Sequence, residues 1–411
     1  MGYKHDAIKG ISWTSGIRVA TRGFAFIKIA VLARVLSPSQ FGIFGIATLI
    51  LAFLEVLTET GINIFIVQSK KDLSHYINSA WVVSIIRGTV IAFAIILSAP
   101  FIASFFHTPN SLGIILFISI VPFIRGFINP SEALFQKKLR FNTEFWFRTA
   151  ILLLDMTVST TLAVLTHSVY SLVWGMIASS SLEVLLSFIL LVPRPRFSIE
   201  RAYFSEIFHN GKWVTASGFF NYLFHNADNI IVGRVLGTGA LGVYQVAYSF
   251  SILPITEISD VFSRVTFPIF TQIAEDRRRL LRAFILVMVI ITLLTVPFGV
   301  LLYFFPREIV MVVLGKKWLA AVSVLPILAL FGTIRGISGS TSALFLAVGK
   351  QRYVTAVTFV SILGLIIPIL PLVLRYGIVG AAISALIGSV VALPVMGYCC
   401  WKVFNETDKK S

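Results

Sequence analysis

Residues 41–67, FGIFGIATLILAFLEVLTETGINIFIV, form an apolar run whose only charges are Glu55 and Glu59. A bilayer core takes about 20 apolar residues of helix, whereas a barrel strand alternates and is about half that length. The run therefore reads as a membrane helix. Others like it lie at roughly 11–35, 76–98, 111–130, 145–165, 170–192, 213–235, 241–270, 283–304, 319–347, 353–374 and 378–401, mostly separated by breakers such as Ser37-Pro38-Ser39 and Thr108-Pro109-Asn110. The composition agrees: 57% hydrophobic and 13% charged over 411 residues, with a mean hydropathy of +0.91. The expected fold is an all-α integral membrane protein of about 12 transmembrane helices.

The net charge of +16 reads as lysine and arginine concentrated in alternate loops rather than as a nucleic-acid surface. Assigning alternate loops to opposite sides divides the loop cations about 20 to 6, with Lys137, Lys138, Arg140, Arg194, Arg196, Arg201 and the Arg277-Arg278-Arg279 cluster all on the rich side. Both termini are then expected in the cytoplasm. If the first segment were an interfacial helix, eleven spans would remain and the C-terminus would lie outside. The first apolar segment is long and interrupted by Arg18, Arg22 and Lys28, unlike a cleaved signal peptide.

An internal repeat supports the even count. A shift of 200 residues lays Trp13 on Trp213, Arg34-Val35-Leu36 on Arg234-Val235-Leu236, and Gly42-Ile43-Phe44 on Gly242-Val243-Tyr244. A shift of 210 lays Ile124-Arg125-Gly126 on Ile334-Arg335-Gly336 and Ala133-Leu134-Phe135 on Ala343-Leu344-Phe345. Two six-helix halves are expected, 1–192 and 213–411, joined by a basic cytoplasmic linker over 193–212. Six is even, so the halves share one orientation about an axis along the membrane normal, with a central cavity between them.

Charges inside spans are costly, about 2.5–3.5 kcal/mol each at the bilayer centre, and mark wet cavities or ion pairs. Residues four apart on a helix share a face. Arg18 and Arg22 stack, with Lys28 nearby, and Glu55, Glu59 and Asn63 form a second stripe. Asn221, His225 and Asp228 mark the seventh helix, and Glu257, Asp260 and Arg264 the eighth. The first half thus presents cations where the second presents neutral groups and an acid, which suits an anionic substrate such as a phosphate or pyrophosphate head group. Pairing of Arg18 and Arg22 with Glu55 or Glu59 is the alternative. Arg125 and Arg335 occupy equivalent places in the repeat and read as structural. Arg87, Arg148 with Asp155, and Glu183 are single signals, and His225 with Asp228 is either a proton or cation relay or a satisfied histidine.

Enzyme chemistry is not expected. Gly336-Ile337-Ser338-Gly339 spells a serine-protease motif, but no histidine follows His225. There is no P-loop, HExxH or GxGxxG, and the adjacent Cys399 and Cys400 suggest neither an ordinary bridge nor a metal site. Asn405-Glu406-Thr407 is a glycosylation sequon on a tail expected in the cytoplasm.

The opening Gly10-Ile11-Ser12-Trp13, the stretch Ala33-Arg34-Val35-Leu36-Ser37-Pro38-Ser39-Gln40-Phe41-Gly42, and Ile124-Arg125-Gly126 followed by Leu139-Arg140-Phe141 resemble bacterial polysaccharide exporters. These are the Wzx-type lipid-linked oligosaccharide flippases of the multidrug/oligosaccharidyl-lipid/polysaccharide superfamily. The resemblance implies transfer of an undecaprenyl-pyrophosphate-linked repeat unit across the bacterial inner membrane by alternating access, alongside a polymerase and other assembly proteins. Substrate contact is expected from Arg18, Arg22, Lys28, Glu55, Glu59, Asn221 and Arg264. No cofactor is implied. Some relatives couple to sodium or protons through acids of the C-terminal half, for which His225, Asp228, Glu257 and Asp260 are the candidates, although 353–374 contains no acid or amide to complete such a site. The rival readings are a cation-coupled multidrug antiporter of the same superfamily and a membrane-embedded sugar polymerase or ligase. The short outer loops speak against the enzyme and the basic first helix against the drug exporter.

Overall fold

Ser37 opens a helix with reciprocal bonds: its Oγ accepts from the Gln40 N–H (3.4 Å), and Gln40 Oε1 accepts from the Ser37 N–H (2.8 Å). Pro38 occupies the first turn, where its missing donor costs nothing, so Ser37-Pro38-Ser39-Gln40 is both a stop for one helix and a start for the next. Gln40 also donates to the His167 carbonyl at 2.8 Å, tying this turn to a distant one.

The computed structural model describes residues 23–59, 74–137, 140–198 and 201–405, with the isolated positions Gly16, Thr21, Ile62 and Ile66. Between 201 and 220 side chains are described only at Thr215, Gly218 and Phe219, and those of Asp260 and Arg264 are not described. The long helices are α1 (23–35), α2 (Pro38–Leu57), α3 (Ser74–Phe105), α4 (Phe141–Thr166), α5 (Tyr170–Leu190), α6 (Arg201–Gln272), α7 (Arg277–Phe304), α8 (Leu325–Ala347), α9 (Gln351–Tyr376) and α10 (Ile378–Asn405). Among the described residues there is no strand, and nine helical segments are long and apolar enough to cross a membrane. Pro109–Arg125 is a shorter apolar segment built from several short helices. This is a multi-pass membrane protein.

The distribution of side chains is the inverse of a soluble protein's. Ile86, Val90, Phe93, Leu97 and Phe101 recur every three or four residues along α3 and are exposed, Leu97 by 79%, as a lipid-facing stripe must be. Small polar groups such as Ser159, Ser179, Ser180 and Ser187 are buried instead, where they let helices approach and exchange hydrogen bonds.

Several elements depart from the sequence reading. The apolar run over 41–67 is helical in α2 only to Leu57, where Thr58 caps it, so Glu59 lies just past the helix and Asn63 outside the described residues. The two helices read over 213–235 and 241–270 are both present within α6, parted by the non-helical Gly237, whose φ of +83° favours glycine. Helix α6 already begins at Arg201, within the segment read as linker. The residues before it lean on α3: Arg196 N–H donates to Asn78 Oδ1 (2.8 Å), and Phe197 packs on Trp81 at 4.5 Å between centroids.

Contacts divide the chain into two compact units, Met1–Asn226 with Gly237–Gly242, and Ala227–Leu236 with Val243–Ser411. Within the first, residues related by the 200-residue shift meet each other. A Cβ on Gly42 would lie 1.8 Å from the Thr238 carbonyl oxygen, and one on Gly242 would lie 1.9 Å from that of Pro38. Only glycine at both positions allows the backbones this approach. In the second unit the ends of α6, α8 and α10 gather with the start of α7 around Phe270, Phe284, Phe345 and Val403.

Candidate functional site

The polar interior of the first unit is a cavity of 310 Å³ whose wall includes Glu55, Glu59, Arg87, Arg125, Glu132, Glu144 and Arg148. Each charge reaches it from a different element. Glu55 is in the last turn of α2 and Glu59 follows it. Arg87 is on α3, Arg125 ends the Pro109–Arg125 segment, and Glu144 and Arg148 lie one turn apart on α4. Glu132 sits in a short 3₁₀ turn, Pro130–Ala133, fixed because Asn129 Oδ1 accepts from the Ser131 N–H at 2.9 Å. Asn129 and Ser131 in turn donate to the Pro193 carbonyl, at 3.2 and 2.7 Å, which anchors the turn to the residues after α5.

The charges face one another. Arg87 donates from Nη2 to the Glu55 backbone carbonyl (2.7 Å) and to Glu59 Oε2 (3.2 Å), and from Nε to Thr58 Oγ1 (3.0 Å). A cation here satisfies one of the last carbonyls of α2 and the negative end of its dipole, which favours a helix end at this point. Arg125 donates to Glu55 Oε1 (3.2 Å) and to Ser180 Oγ (3.3 Å). Arg148 donates to Glu183 Oε1 on α5 (2.9 Å) and is ion-paired with Glu132.

These pairs are not sealed. The side chains of Arg125 and Glu55 are 40% and 32% exposed, those of Arg87 and Glu59 25% and 40%. Pairs this open contribute about 1 kcal/mol or less to stability. They are therefore arginine forks held loosely by carboxylates, able to exchange them for another oxyanion. A deeper pair lies apart from the cavity wall: Lys28 Nζ on α1 meets Asp155 Oδ2 on α4 at 2.6 Å, with the side chains 16% and 19% exposed.

This arrangement differs from the bare cationic stripe expected from the sequence. Arg18 and Arg22 lie outside the described residues. Lys28 has an acid of its own, and Glu55 and Glu59 meet Arg125 and Arg87, charges that the sequence marks as structural or as single signals. Glu132 and Glu144 fall outside the charged stripes altogether. The Glu55/Glu59 stripe is the sequence signal that points to this wall, and the Glu144/Arg148 spacing of four is a second one that the charged stripes pass over. Asn221 and His225, the latter with interactions of its own, are exposed in the first unit.

In the second unit Asp228 is buried, accepting at Oδ2 from Tyr244 OH (2.8 Å) and at Oδ1 from the backbone and side-chain N–H groups of Asn229 (2.8 and 3.2 Å). Arg335, the repeat counterpart of Arg125, donates to Tyr248 OH at 3.4 Å and lies 5.8 Å from the Phe331 ring centre. Glu257 is half-buried and has interactions of its own. Among the described residues no group of three or more His, Cys, Asp or Glu is placed to hold a metal ion.

Residues 31–323, well over half of the chain and including every charge of the cavity, match the family described as polysaccharide biosynthesis protein. The chain belongs to that family. Among its relatives, the lipopolysaccharide biosynthesis protein WzxC of Escherichia coli (strain K12) is 26% identical over 350 residues, covering 84% of this chain and 71% of that protein. The fold of this polysaccharide biosynthesis protein resembles two solved structures. One is the lipid II flippase MurJ in an inward closed conformation, with a TM-score of 0.74 at 17% identity over 94% of this chain and 88% of that one. The other is an inward-facing multidrug resistance MATE transporter of the MOP superfamily, with a TM-score of 0.68 at 16% identity over 95% and 98%.

Proposed function

We propose that the protein is a flippase that moves an undecaprenyl-pyrophosphate-linked oligosaccharide repeat unit of O-antigen, capsule or exopolysaccharide from the cytoplasmic to the periplasmic leaflet of the bacterial inner membrane. Family membership carries the reading, because the relatives are named for polysaccharide biosynthesis and one solved neighbour is named as a lipid flippase. The cavity supplies the chemistry: Arg87 and Arg125, each loosely held by a carboxylate, and Arg148 beside them offer a pyrophosphate fork-shaped donors without leaving bare cations in the membrane when it is absent. Alternating access would carry the head group while the prenyl tail stays in lipid. Transport needs no bond to break, so the protein is not an enzyme. Both termini are cytoplasmic in this reading, and a polymerase receives the product. Ion coupling through Asp228 belongs to the same proposal.

The test is complementation. In a bacterium deleted for the flippase of the matching polysaccharide, the gene should restore surface polymer and periplasmic exposure of the lipid-linked unit. Unrestored polymer with protein present in the membrane would refute the assignment. A drug exporter would instead raise resistance to cationic drugs.

Arg125→Ala is expected to lower surface polymer about tenfold while membrane protein stays near wild type, since the exposed pair contributes about 1 kcal/mol or less to folding. Immunoblots and polymer stains read the two quantities separately. Equal losses of both would mark Arg125 as structural.

A further inference from the structure

Glu132 on the Pro130–Ala133 turn and Glu183 on α5 both pair with the single guanidinium of Arg148 on α4, and among the described residues no other cation is paired with either. Their side chains are only 16% and 11% exposed. The remaining charges around Glu132 do not correct the balance: Glu144 on α4 adds a further acid, Arg125 is drawn to Glu55, and Arg87 is drawn to Glu59. With both carboxylates ionised, the triad would carry a net negative charge on two acids largely withdrawn from water, opposed by one arginine that is 40% exposed, a state that burial of the acids penalises. One proton relieves it.

We propose that Glu132, Arg148 and Glu183 form a proton-binding site in which Glu132, sharing one arginine with Glu183, takes up a proton, and that this proton is exchanged during transport. The site belongs to the first unit, apart from Asp228 and the other C-terminal acids expected to couple ions. Burial pushes the Glu132 carboxyl up to about 7, with Arg148 opposing and Glu183 and Glu144 reinforcing the rise, and Arg125 again opposing. The proton is therefore held below neutrality and released above it. Protonation also loosens the carboxylate grip on Arg148, so proton binding and capture of an oxyanion by that guanidinium favour each other. The titration stands by itself, and the part in transport rests on the flippase reading.

Infrared difference spectra of the purified protein, recorded between about pH 5.5 and 8.5, count carboxylic acids that ionise near neutrality. The wild type should lose one such band per chain, and Glu132→Gln should lose none. Glu183→Gln is the sharper variant. It leaves Glu132 and Arg148 one to one and removes one of the charges that raise the Glu132 carboxyl while burial, the larger cause, remains, so the neutral step should move to lower pH although Glu132 is still present. A step that survives in Glu132→Gln, or that stays at the wild-type pH in Glu183→Gln, overturns the site, and if Glu132→Gln does not fold, Glu183→Gln decides alone. In cells where the wild type restores polymer, collapsing the pH gradient should reduce export several-fold, and Glu132→Gln should remove that dependence. A dependence unchanged in Glu132→Gln overturns the transport role. Failure of the wild type to restore polymer refutes the flippase reading and leaves the titration intact as a test of the site.

Discussion

Gly42→Ala is expected to leave almost no folded protein in the membrane, although it adds a single methyl group. The new Cβ would lie 1.8 Å from the Thr238 carbonyl oxygen and 2.5 Å from its carbon, both backbone atoms that cannot rotate aside. Gly242→Ala should behave alike, with its Cβ 1.9 Å from the Pro38 carbonyl oxygen and 2.8 Å from the Gly42 nitrogen. Relief requires the two segments to separate, breaking contacts along both, which places the cost at or above the usual overpacking range, about 3 kcal/mol. That is more than a hundredfold in the ratio of folded to unfolded chains. Gly239→Ala is the control, because nothing lies within 4 Å of its added Cβ. Fluorescence-detected size exclusion of tagged variants reads the outcome. A normal monodisperse peak for Gly42→Ala, like that of Gly239→Ala, would show that the crossing tolerates a methyl group at Gly42.

That crossing was half legible in the sequence. The 200-residue shift aligns Gly42 with Gly242 and Pro38 with Thr238, so the equivalence is visible, but a repeat does not say that its copies touch. Helices were legible for the same reason that lipid is needed: uninterrupted apolar runs have one stable form in a bilayer. The end of α2 was not, since the apolar run continues past it and the stop is favoured by Arg87 reaching the Glu55 carbonyl from another helix. Ion pairing was the least legible feature. Spacing along one helix groups Glu55 with Glu59, yet their partners, Arg125 and Arg87, are fixed by helix packing. Glu132 lies in a short turn, so a search for charges at helical spacing within apolar spans passes over it. Burial and Arg148 make it significant, and both are properties of the fold.

Lys28→Met is expected to destabilise the protein by about 3 kcal/mol, because it takes the cation from the part-buried Asp155 and leaves it, among the described residues, with Ser159 Oγ, 3.3 Å away, as its side-chain donor. Asp155→Leu should cost as much from the other side, stranding a lysine. The double variant Lys28→Met/Asp155→Leu should recover most of that loss, since a buried pair pays for its attraction in desolvation and is often matched by apolar residues of similar volume. The contrast with Arg125 and Glu55 is one of exposure: 16% and 19% against 40% and 32%, so the first pair is expected to act on folding and the second on transport. Thermal melting of the purified variants measures the coupling, and export measures what Lys28 does beyond it. A double variant that folds and exports assigns Lys28 to the scaffold. One that folds but exports nothing returns it to the substrate path with Arg18 and Arg22, where its charge, rather than its partner, would be what selection kept.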